Sequence, residues 1–242
     1  MSHEVAVVTG GSSGIGRRIL EELVEVGYRT VCFDRAEREL TQAGDGDIGE
    51  AFFLVDVTDA GGVRDAWAQM VSEVGPPGVL VNCAGWERAS WFIDTDEEFW
   101  RELVEINFLG VVRMTQLFLR SAIDAGVRGR VINIASEAAR VGSAREAVYS
   151  GCKAGVIGFG KSVAREVARY GIRVNTVCPG PVETKLYFDQ PEEVRSKMVG
   201  AIPLRRVGVP ADIAGAVAFL VSEKADFITG QTLSVSGGLT MA

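Results

Sequence analysis

The chain has 242 residues, a length that fits one large α/β domain, and 47% of the residues are hydrophobic. Its 32 acidic residues outnumber its 25 basic residues, so the formal net charge is −7. A chain of this charge lacks the positive field that non-specific binding to nucleic-acid phosphates uses, and we therefore expect no nucleic-acid partner.

The cysteines and the apolar segments narrow the class of protein further. The chain has a single histidine, and no CxxC pair occurs among its four widely spaced cysteines, Cys32, Cys83, Cys152 and Cys178. This pattern predicts reduced core thiols, and neither a metal site nor a disulfide framework. No segment approaches the roughly 18 uninterrupted apolar residues of a membrane helix, and the first apolar run is too short for a signal peptide. We expect a cytoplasmic protein without a membrane partner.

Short β-rich runs alternate with amphipathic segments along the whole chain. Predicted strands cover residues 5–9, 29–34, 51–56, 79–82, 130–135, 173–178 and 232–235. Predicted helices, in which apolar residues recur at spacings of three and four, cover residues 17–26, 63–74, 97–123, 148–170 and 210–221. This alternation, with nearly continuous apolar strands, predicts an α/β fold in which a seven-stranded parallel sheet is flanked by helices. We expect one doubly wound, Rossmann-type domain over residues 1–242.

One segment breaks this alternation. Residues 183–209 contain Pro191, Pro203, charged clusters and only weak helical patterns between a strand and the last helix. A long irregular insertion at the C-terminal end of a strand is typical of a lid or a binding loop. We therefore predict a substrate loop at about residues 183–209.

A glycine-rich loop joins the first predicted strand to the first predicted helix. Glycines permit a tight turn and let backbone N–H groups approach a pyrophosphate, whose charge the N-terminus of a helix favours. A structural turn has the same composition, so the loop is weak evidence by itself. The cofactor-binding candidates in this loop are Gly10, Ser12, Ser13, Gly14, Ile15 and Gly16.

The end of the second strand indicates which dinucleotide the loop binds. Asp34 lies about 20 residues beyond the glycine loop, where a carboxylate accepts hydrogen bonds from the adenosine ribose and repels a 2′-phosphate. The alternatives are that Asp34 is an ordinary turn residue and that Arg35 pairs with the phosphate. We predict NAD as the cofactor.

Further cofactor candidates follow the third and fourth strands, because open α/β sheets bind ligands at the C-terminal ends of their strands. Asp56 either hydrogen-bonds the adenine or caps the next helix, and the two roles are compatible. The other candidates here are Val57, Asn82, Ala84 and Gly85.

Three residues form a candidate catalytic group. Tyr149 and Lys153 are four residues apart in a helical pattern, so their side chains share one helix face. Ser136 follows a predicted strand at its C-terminal end, on the side of the sheet where the cofactor is expected. A hydroxyl, a phenol and an ammonium group are thereby predicted to meet.

The chain resembles the short-chain dehydrogenase/reductase family over essentially its full length. The matching patterns are TGGSSGIG from Thr9, NCAG from Asn82, Ser136, the YxxxK pair of Tyr149 and Lys153, and PGPVET from Pro179. Where the family usually has two consecutive asparagines, this chain has Asn82-Cys83, which alters the loop under the cofactor.

The resemblance implies hydride transfer between a substrate carbon and the nicotinamide, while Tyr149 exchanges a proton with the substrate oxygen. Lys153 is expected to lower the pKa of Tyr149 and to reach the nicotinamide ribose, and Ser136 to stabilise charge developing on the carbonyl oxygen. Asn107 matches the residue that holds a water in a proton relay, although it can equally kink a helix. The remaining implied cofactor contacts are Pro179, Gly180, Val182 and Thr184, of which Thr184 can instead cap a helix. The resemblance also implies a homotetramer.

A narrower resemblance concerns the substrate. The segments around Trp86, Arg140 and Tyr149 and the C-terminal ending resemble 2-hydroxycyclohexanecarboxyl-CoA dehydrogenases, which implies a small-molecule alcohol or ketone carried on a CoA thioester. The alternatives are a 3-oxoacyl-thioester reductase and a non-catalytic NAD(H)-binding sensor. The substrate-contact candidates, each of which can instead be a packing or solvated residue, are Trp86, Trp91, Arg140, Val141, Arg145 and Tyr187.

Overall fold

Seven parallel strands form one sheet in the computed structural model, which describes residues 4–36, 51–189 and 191–241. The strand order is β3-β2-β1-β4-β5-β6-β7, and every neighbouring pair is parallel. The strands are β1 Val5–Thr9, β2 Arg29–Asp34, β3 Ala51–Leu54, β4 Val79–Asn82, β5 Arg130–Ile134, β6 Arg173–Pro179 and β7 Thr232–Val235. The predicted seven-stranded parallel sheet is confirmed.

The helices cover both faces of this sheet. They are α1 Gly14–Glu25, α2 Ala60–Glu73, α3 Glu97–Val104, α4 Gly110–Asp124, α5 Ala138–Val141, α6 Ala147–Val167, α7 Lys185–Phe188, α8 Glu192–Ala201 and α9 Pro210–Val221. A π-helical segment, Glu105–Leu109, joins α3 to α4, and 3₁₀ turns lie at Phe92–Asp94, Ala168–Tyr170 and Glu223–Ala225. In the described parts of the chain, no helix is both long and apolar enough to cross a membrane.

The core lies on both faces of the sheet, and β1 shows why its sequence is continuously apolar. Val5 and Val7 point into one apolar cluster, which also contains Phe118 of α4. Ala6 and Val8 point into the opposite cluster. Because successive side chains of a strand face opposite sides, a central strand covered by helices on both faces needs apolar residues at every position.

The chain reverses its direction of winding between β1 and β4, which are neighbours in the sheet. The crevice of an open α/β sheet lies at such a switch point, outside the C-terminal ends of the strands. The Thr9 hydroxyl at the end of β1 accepts hydrogen bonds from the backbone N–H groups of Cys83 (3.0 Å) and Ala84 (3.1 Å). These bonds hold the loops that follow β1 and β4 together and form the floor of the crevice.

Several element ends are shifted by one to three residues from the sequence prediction, and the structure departs from that prediction further in three respects. The helix predicted over residues 97–123 is interrupted by the π-helical segment, and the strand predicted over 51–56 ends at Leu54. The irregular segment 183–209 contains two helices, α7 and α8. Its ends are joined at Val182 and Gly208, with Glu183 N–H donating to the Gly208 carbonyl at 2.9 Å. Local apolar periodicity does not reveal such breaks, because they depend on tertiary hydrogen bonds.

Candidate active site

The glycine loop has a backbone that side chains would obstruct. Gly10 and Gly14 have φ angles of +72° and +54°, in the left-handed region that glycine favours. A Cβ on Gly16 would lie 2.1 Å from the Gly10 carbonyl oxygen, which no side chain allows. Ser13 precedes α1, and its exposed side chain makes no capping hydrogen bond to that helix. The loop therefore has the tight turn and open helix N-terminus that a pyrophosphate requires.

Asp34 is oriented by the glycine loop itself. Its Oδ2 accepts a hydrogen bond from the Ser12 N–H at 2.9 Å, and its Oδ1 accepts one from the Ala36 N–H at 3.0 Å. The carboxylate therefore lies beside the loop that would hold the pyrophosphate, at the side where an adenosine ribose would follow.

Arg35 extends in another direction, towards Asp56. Its guanidinium nitrogen Nη1 lies 3.8 Å from Asp56 Oδ2, and both side chains are substantially exposed. Asp56 also accepts a hydrogen bond from the Thr58 N–H at 2.8 Å, whereas Asp59 caps α2 by accepting from the Gly61 N–H. The capping role that the sequence left open for Asp56 therefore belongs to Asp59.

Asn82 joins three elements beneath the site. Its amide nitrogen donates to Thr115 Oγ1 of α4 at 3.0 Å and to Asn133 Oδ1 of β5 at 2.8 Å, and the side chain is buried. In the structure, these hydrogen bonds of Asn82 therefore hold the loop after β4 in position. Gly85 in that loop passes close to the catalytic group, since a Cβ there would lie 3.1 Å from Asn107 Oδ1 and 3.3 Å from Lys153 Nζ.

Lys153 is almost fully buried, with 3% of its surface exposed. Its ammonium group donates to the Ile134 carbonyl at 3.0 Å and lies 5.7 Å from the centre of the Tyr149 ring. Burial lowers the pKa of Lys153 to about 8, because an ammonium group loses hydration inside the protein. The four-residue spacing predicts that Tyr149 and Lys153 share one face of α6. Through Lys153, this face contacts Ile134 at the C-terminal end of β5.

Tyr149 and Ser136 meet on the same side of the sheet. A hydrogen bond between them lowers the pKa of Tyr149, but burial is the larger influence and raises this pKa above its ordinary value. Lys153 is expected to lower the pKa of Tyr149, but in the protein alone the net pKa is raised, because desolvation of the phenolate outweighs the influences that lower it. A phenol with a raised pKa retains its proton at neutral pH, as a proton donor must.

Asn107 lies in the π-helical segment and is fully buried. Its Oδ1 accepts from the Trp86 N–H at 3.2 Å, and its amide nitrogen donates to the carbonyls of Trp86 (2.7 Å) and Leu103 (3.1 Å). Asn107 thus anchors the loop after β4 to the interrupted helix. The helix break that the sequence allowed for Asn107 is present as a π-helical turn.

The cofactor candidates after β6 lie close to the glycine loop. The Gly180 N–H donates to the Val235 carbonyl at 3.1 Å, and Val182 is buried beyond Pro179. Thr184 Cγ2 lies 3.4 Å from the position that a Cβ on Gly14 would take. The loop after β6 therefore reaches across the crevice to the start of α1.

The substrate candidates lie in three groups. Trp86 packs edge-on against Phe99 at 5.9 Å, and the Arg145 guanidinium lies 5.9 Å from the centre of the Trp91 ring. Tyr187 lies on α7, where Arg195 of α8 approaches its ring to 5.8 Å. Arg140 and Val141 lie in α5, directly after Ser136, and Val141 is exposed.

Sequence reasoning missed two carboxyl groups beside Tyr149. Glu87 directly follows Trp86, and Glu146 lies three residues before Tyr149. The negative charges of both raise the pKa of Tyr149. Their only sequence signal is position, since each lies within three residues of a candidate site residue.

Comparison with known proteins finds relatives that match this chain over nearly its full length. The protein-family model described as Enoyl-(Acyl carrier protein) reductase matches residues 10–240. The (3R)-3-hydroxyacyl-CoA dehydrogenase of Canis lupus familiaris is 37% identical over 249 residues, covering 98% of this chain and 96% of the relative. The 3-oxoacyl-(acyl-carrier-protein) reductase FabG of Vibrio cholerae is 39% identical over 240 residues, covering 98% of each chain. The protein of the same name in Escherichia coli is 37% identical with the same coverage.

Proposed function

Because the chain belongs to the short-chain dehydrogenase/reductase family, we propose that it is an NAD(H)-dependent oxidoreductase that interconverts hydroxyacyl and oxoacyl thioesters. The observation that carries this proposal is the meeting of Ser136, Tyr149 and Lys153 beside the β1–β4 crevice. A domain that only senses NAD(H) has no need of a buried ammonium group beside a phenol.

The proposed mechanism assigns one role to each of these residues. The nicotinamide, when bound, supplies or accepts the hydride. In the reductive direction the Tyr149 hydroxyl donates its proton to the ketone oxygen, and the Ser136 hydroxyl donates a hydrogen bond to the same oxygen as negative charge develops. Lys153 holds a positive charge below Tyr149, which favours the phenolate that remains after proton transfer.

The same residues work in reverse when an alcohol is oxidised. Tyr149 as phenolate then takes the proton of the alcohol, so its raised pKa must be overcome. The positive charges of the Lys153 ammonium group and of the oxidised nicotinamide both favour the phenolate, and so both lower the pKa of Tyr149. We therefore propose that reduction is favoured at lower pH and oxidation at higher pH.

Asp34 supports NAD as the cofactor. A carboxylate held beside the glycine loop by the Ser12 N–H repels a 2′-phosphate, whereas two ribose hydroxyls donate hydrogen bonds to it. Arg35, the residue that would compensate a phosphate, extends towards Asp56. The proposed cofactor contacts are otherwise those predicted from the sequence.

The names of the relatives support a thioester substrate, but they do not identify the acyl group that the thioester carries. The relatives are named for 3-hydroxyacyl-CoA and 3-oxoacyl carrier-protein substrates, whereas the family description names an enoyl reductase. We favour the alcohol–ketone reaction, because Tyr149 and Ser136 are arranged to serve a carbonyl oxygen. An alicyclic 2-hydroxyacyl-CoA remains the competing substrate predicted from the sequence.

A spectrophotometric screen at 340 nm tests these assignments. The purified protein is assayed with NADH and with NADPH against acetoacetyl-CoA, crotonyl-CoA and 2-oxocyclohexanecarboxyl-CoA. We expect NADH-dependent reduction of acetoacetyl-CoA. Reduction of crotonyl-CoA alone would replace the proposal with enoyl reduction, and preference for the cyclic ketone would identify the alicyclic substrate. Binding of NADH without turnover of any compound would favour the alternative of a non-catalytic NAD(H)-binding sensor.

A further inference from the structure

A cavity lies beside Tyr149, between the segment that follows β4, helix α3 and the turn before α6. Phe99 and Leu103 of α3 give this cavity an apolar surface, and Arg88 and Arg145 line it from the two loops. An acyl chain whose carbonyl group is placed at Tyr149 therefore meets apolar side chains and two cations in the same space.

Aromatic rings hold both guanidinium groups at the cavity. The Arg88 guanidinium carbon lies 4.8 Å from the centre of the Phe99 ring, and that of Arg145 lies 5.9 Å from the centre of the Trp91 ring. The Arg145 guanidinium also donates to the Ala89 carbonyl at 3.5 Å. A guanidinium group over a ring keeps N–H donors at its edge for an anion. Both cations are thus positioned without use of all their donors.

The backbone of Arg145 fixes this residue at the cavity. Its carbonyl accepts a hydrogen bond from the Ser90 N–H at 2.9 Å, which joins the turn before α6 to the loop after β4. Its φ angle is +71°, a conformation that is strained for a residue with a side chain. Such strain persists only where the surrounding structure imposes it, and it is concentrated at sites that bind ligands.

The charge of the two arginines is not neutralised by an ion pair within the described residues. Neither Arg88 nor Arg145 forms one with a carboxylate of residues 4–36, 51–189 or 191–241. Glu146 also lines the cavity, and burial raises its pKa, as it raises the pKa of nearby Glu87 to about 7. A raised pKa weakens the negative charge of these carboxyl groups at mildly acidic pH, whereas arginine stays fully charged.

On the basis of the proposed function, we propose that the site prefers thioesters whose acyl chain ends in a carboxylate, and that Arg88 and Arg145 bind this carboxylate. The space between the lining residues is about 240 Å³, part of it open to solvent. Pockets for whole drug-sized ligands have roughly 300–1,000 Å³, so this cavity suits the end of an acyl chain and not its carrier. The thioester group itself is neutral, which leaves the far end of the chain to carry the charge. Guanidinium groups bind carboxylates strongly through pairs of N–H donors.

The experiment compares two thioesters of equal chain length. The mono-N-acetylcysteamine thioester of 3-oxohexanedioic acid ends in a carboxylate, whereas the 3-oxohexanoyl thioester ends in a methyl group, and neither carries a phosphate. The ratio of kcat/KM for the first to that for the second is measured with NADH at pH 6.5. We expect a ratio well above one in the wild type, and a decrease of about tenfold in Arg88→Gln and in Arg145→Gln. Arg101 is exposed on α3 and paired with Glu97, so Arg101→Gln is the control and should leave the ratio unchanged.

Salt provides a second measurement, in the wild type itself. Arg88 and Arg145 are both exposed, so an increase in salt from about 0.05 M to about 0.5 M should lower the ratio towards one. Loss of folded protein in a variant cancels, because both substrates are measured on the same preparation.

The outcomes separate this inference from the proposed function. A wild-type ratio near one, or equal ratios in the wild type and both variants, would overturn the role of the arginines. Variants that lower kcat/KM only for CoA esters would also overturn it, because the arginines would then bind the phosphates of the carrier. Reduction of neither thioester by a protein that binds NADH would overturn the proposed function instead.

Discussion

At the residue scale, the site depends on a phenol whose proton is held by burial. The pKa of Tyr149 is raised, so removal of its hydroxyl removes the proton donor but leaves the ring that lies 5.7 Å from the Lys153 ammonium group. We expect Tyr149→Phe to lower kcat by about 10²–10⁴-fold while the Kd for NADH changes little. Steady-state kinetics and fluorescence titration measure these quantities. A variant that retained most of its activity would contradict the proposed role.

The buried ammonium group of Lys153 has a cost in stability that depends on pH. Its pKa falls from 10.5 to about 8 on folding, so the unfolded chain binds more protons between these values. The free energy of unfolding of the wild type, relative to Lys153→Met, should rise as the pH increases through this window. The expected gain is roughly 1–3 kcal/mol.

Urea denaturation at several pH values measures this gain. Lys161 is exposed on the same helix, so Lys161→Met serves as the control and should show no such difference from the wild type. A difference between wild type and Lys153→Met that stayed constant from pH 8 to 10 would show that the ammonium group is not desolvated.

The choice between NAD and NADP is expected to depend on the carboxylate of Asp34. Replacement of Asp34 by Ser removes the charge beside the glycine loop, and repulsion of a 2′-phosphate should fall with it. We expect Asp34→Ser to narrow the NAD-to-NADP ratio of kcat/KM by about one to three powers of ten, equivalent to roughly 1.4–4 kcal/mol. Asp65→Ser, on the exposed face of α2, should leave the ratio unchanged. A wild type that prefers NADP would contradict the assignment.

At the element scale, the turn from β1 into α1 requires glycine at one position above all. A Cβ on Gly16 would lie 2.1 Å from the Gly10 carbonyl oxygen, so the loop must move to accept it. We expect Gly16→Ala to weaken NADH binding at least about tenfold and to lower the melting temperature, since backbone overlap cannot be relieved by a rotamer change.

A second glycine provides the matched control for that substitution. Gly215 lies within α9, and a Cβ there would meet nothing within 4 Å. Gly215→Ala should therefore leave NADH binding intact and stabilise the protein by roughly 0.5–1 kcal/mol, because alanine loses less backbone entropy in a helix. Calorimetry and NADH titration compare the two variants. Equal behaviour of both would show that the loop tolerates a side chain.

At the scale of the whole molecule, apolar side chains remain exposed near the C-terminal end. Phe227 is fully exposed, and 83% of Met241 is exposed. Large exposed apolar groups often mark interfaces between subunits. We expect a homotetramer by light scattering, and Phe227→Glu should shift the mass towards smaller species. Ile93→Glu, at an exposed position in the 3₁₀ turn Phe92–Asp94, should leave the mass unchanged. A wild-type monomer would contradict the expectation.

The amino-acid sequence by itself determined the sheet, the order of the helices and the grouping of Ser136, Tyr149 and Lys153. The spacing of apolar residues predicts β1, the glycines predict the turn at Gly10, and the four-residue spacing predicts the shared helix face of Tyr149 and Lys153. All three are local properties of the sequence. Only the tertiary structure decided that Asn107 occupies a π-helical turn and that the loop after β4 is joined to the turn before α6 through Ser90 and Arg145. It also reversed the expected direction of the Tyr149 pKa shift. These features depend on burial and on partners distant in the chain, and local sequence patterns contain neither.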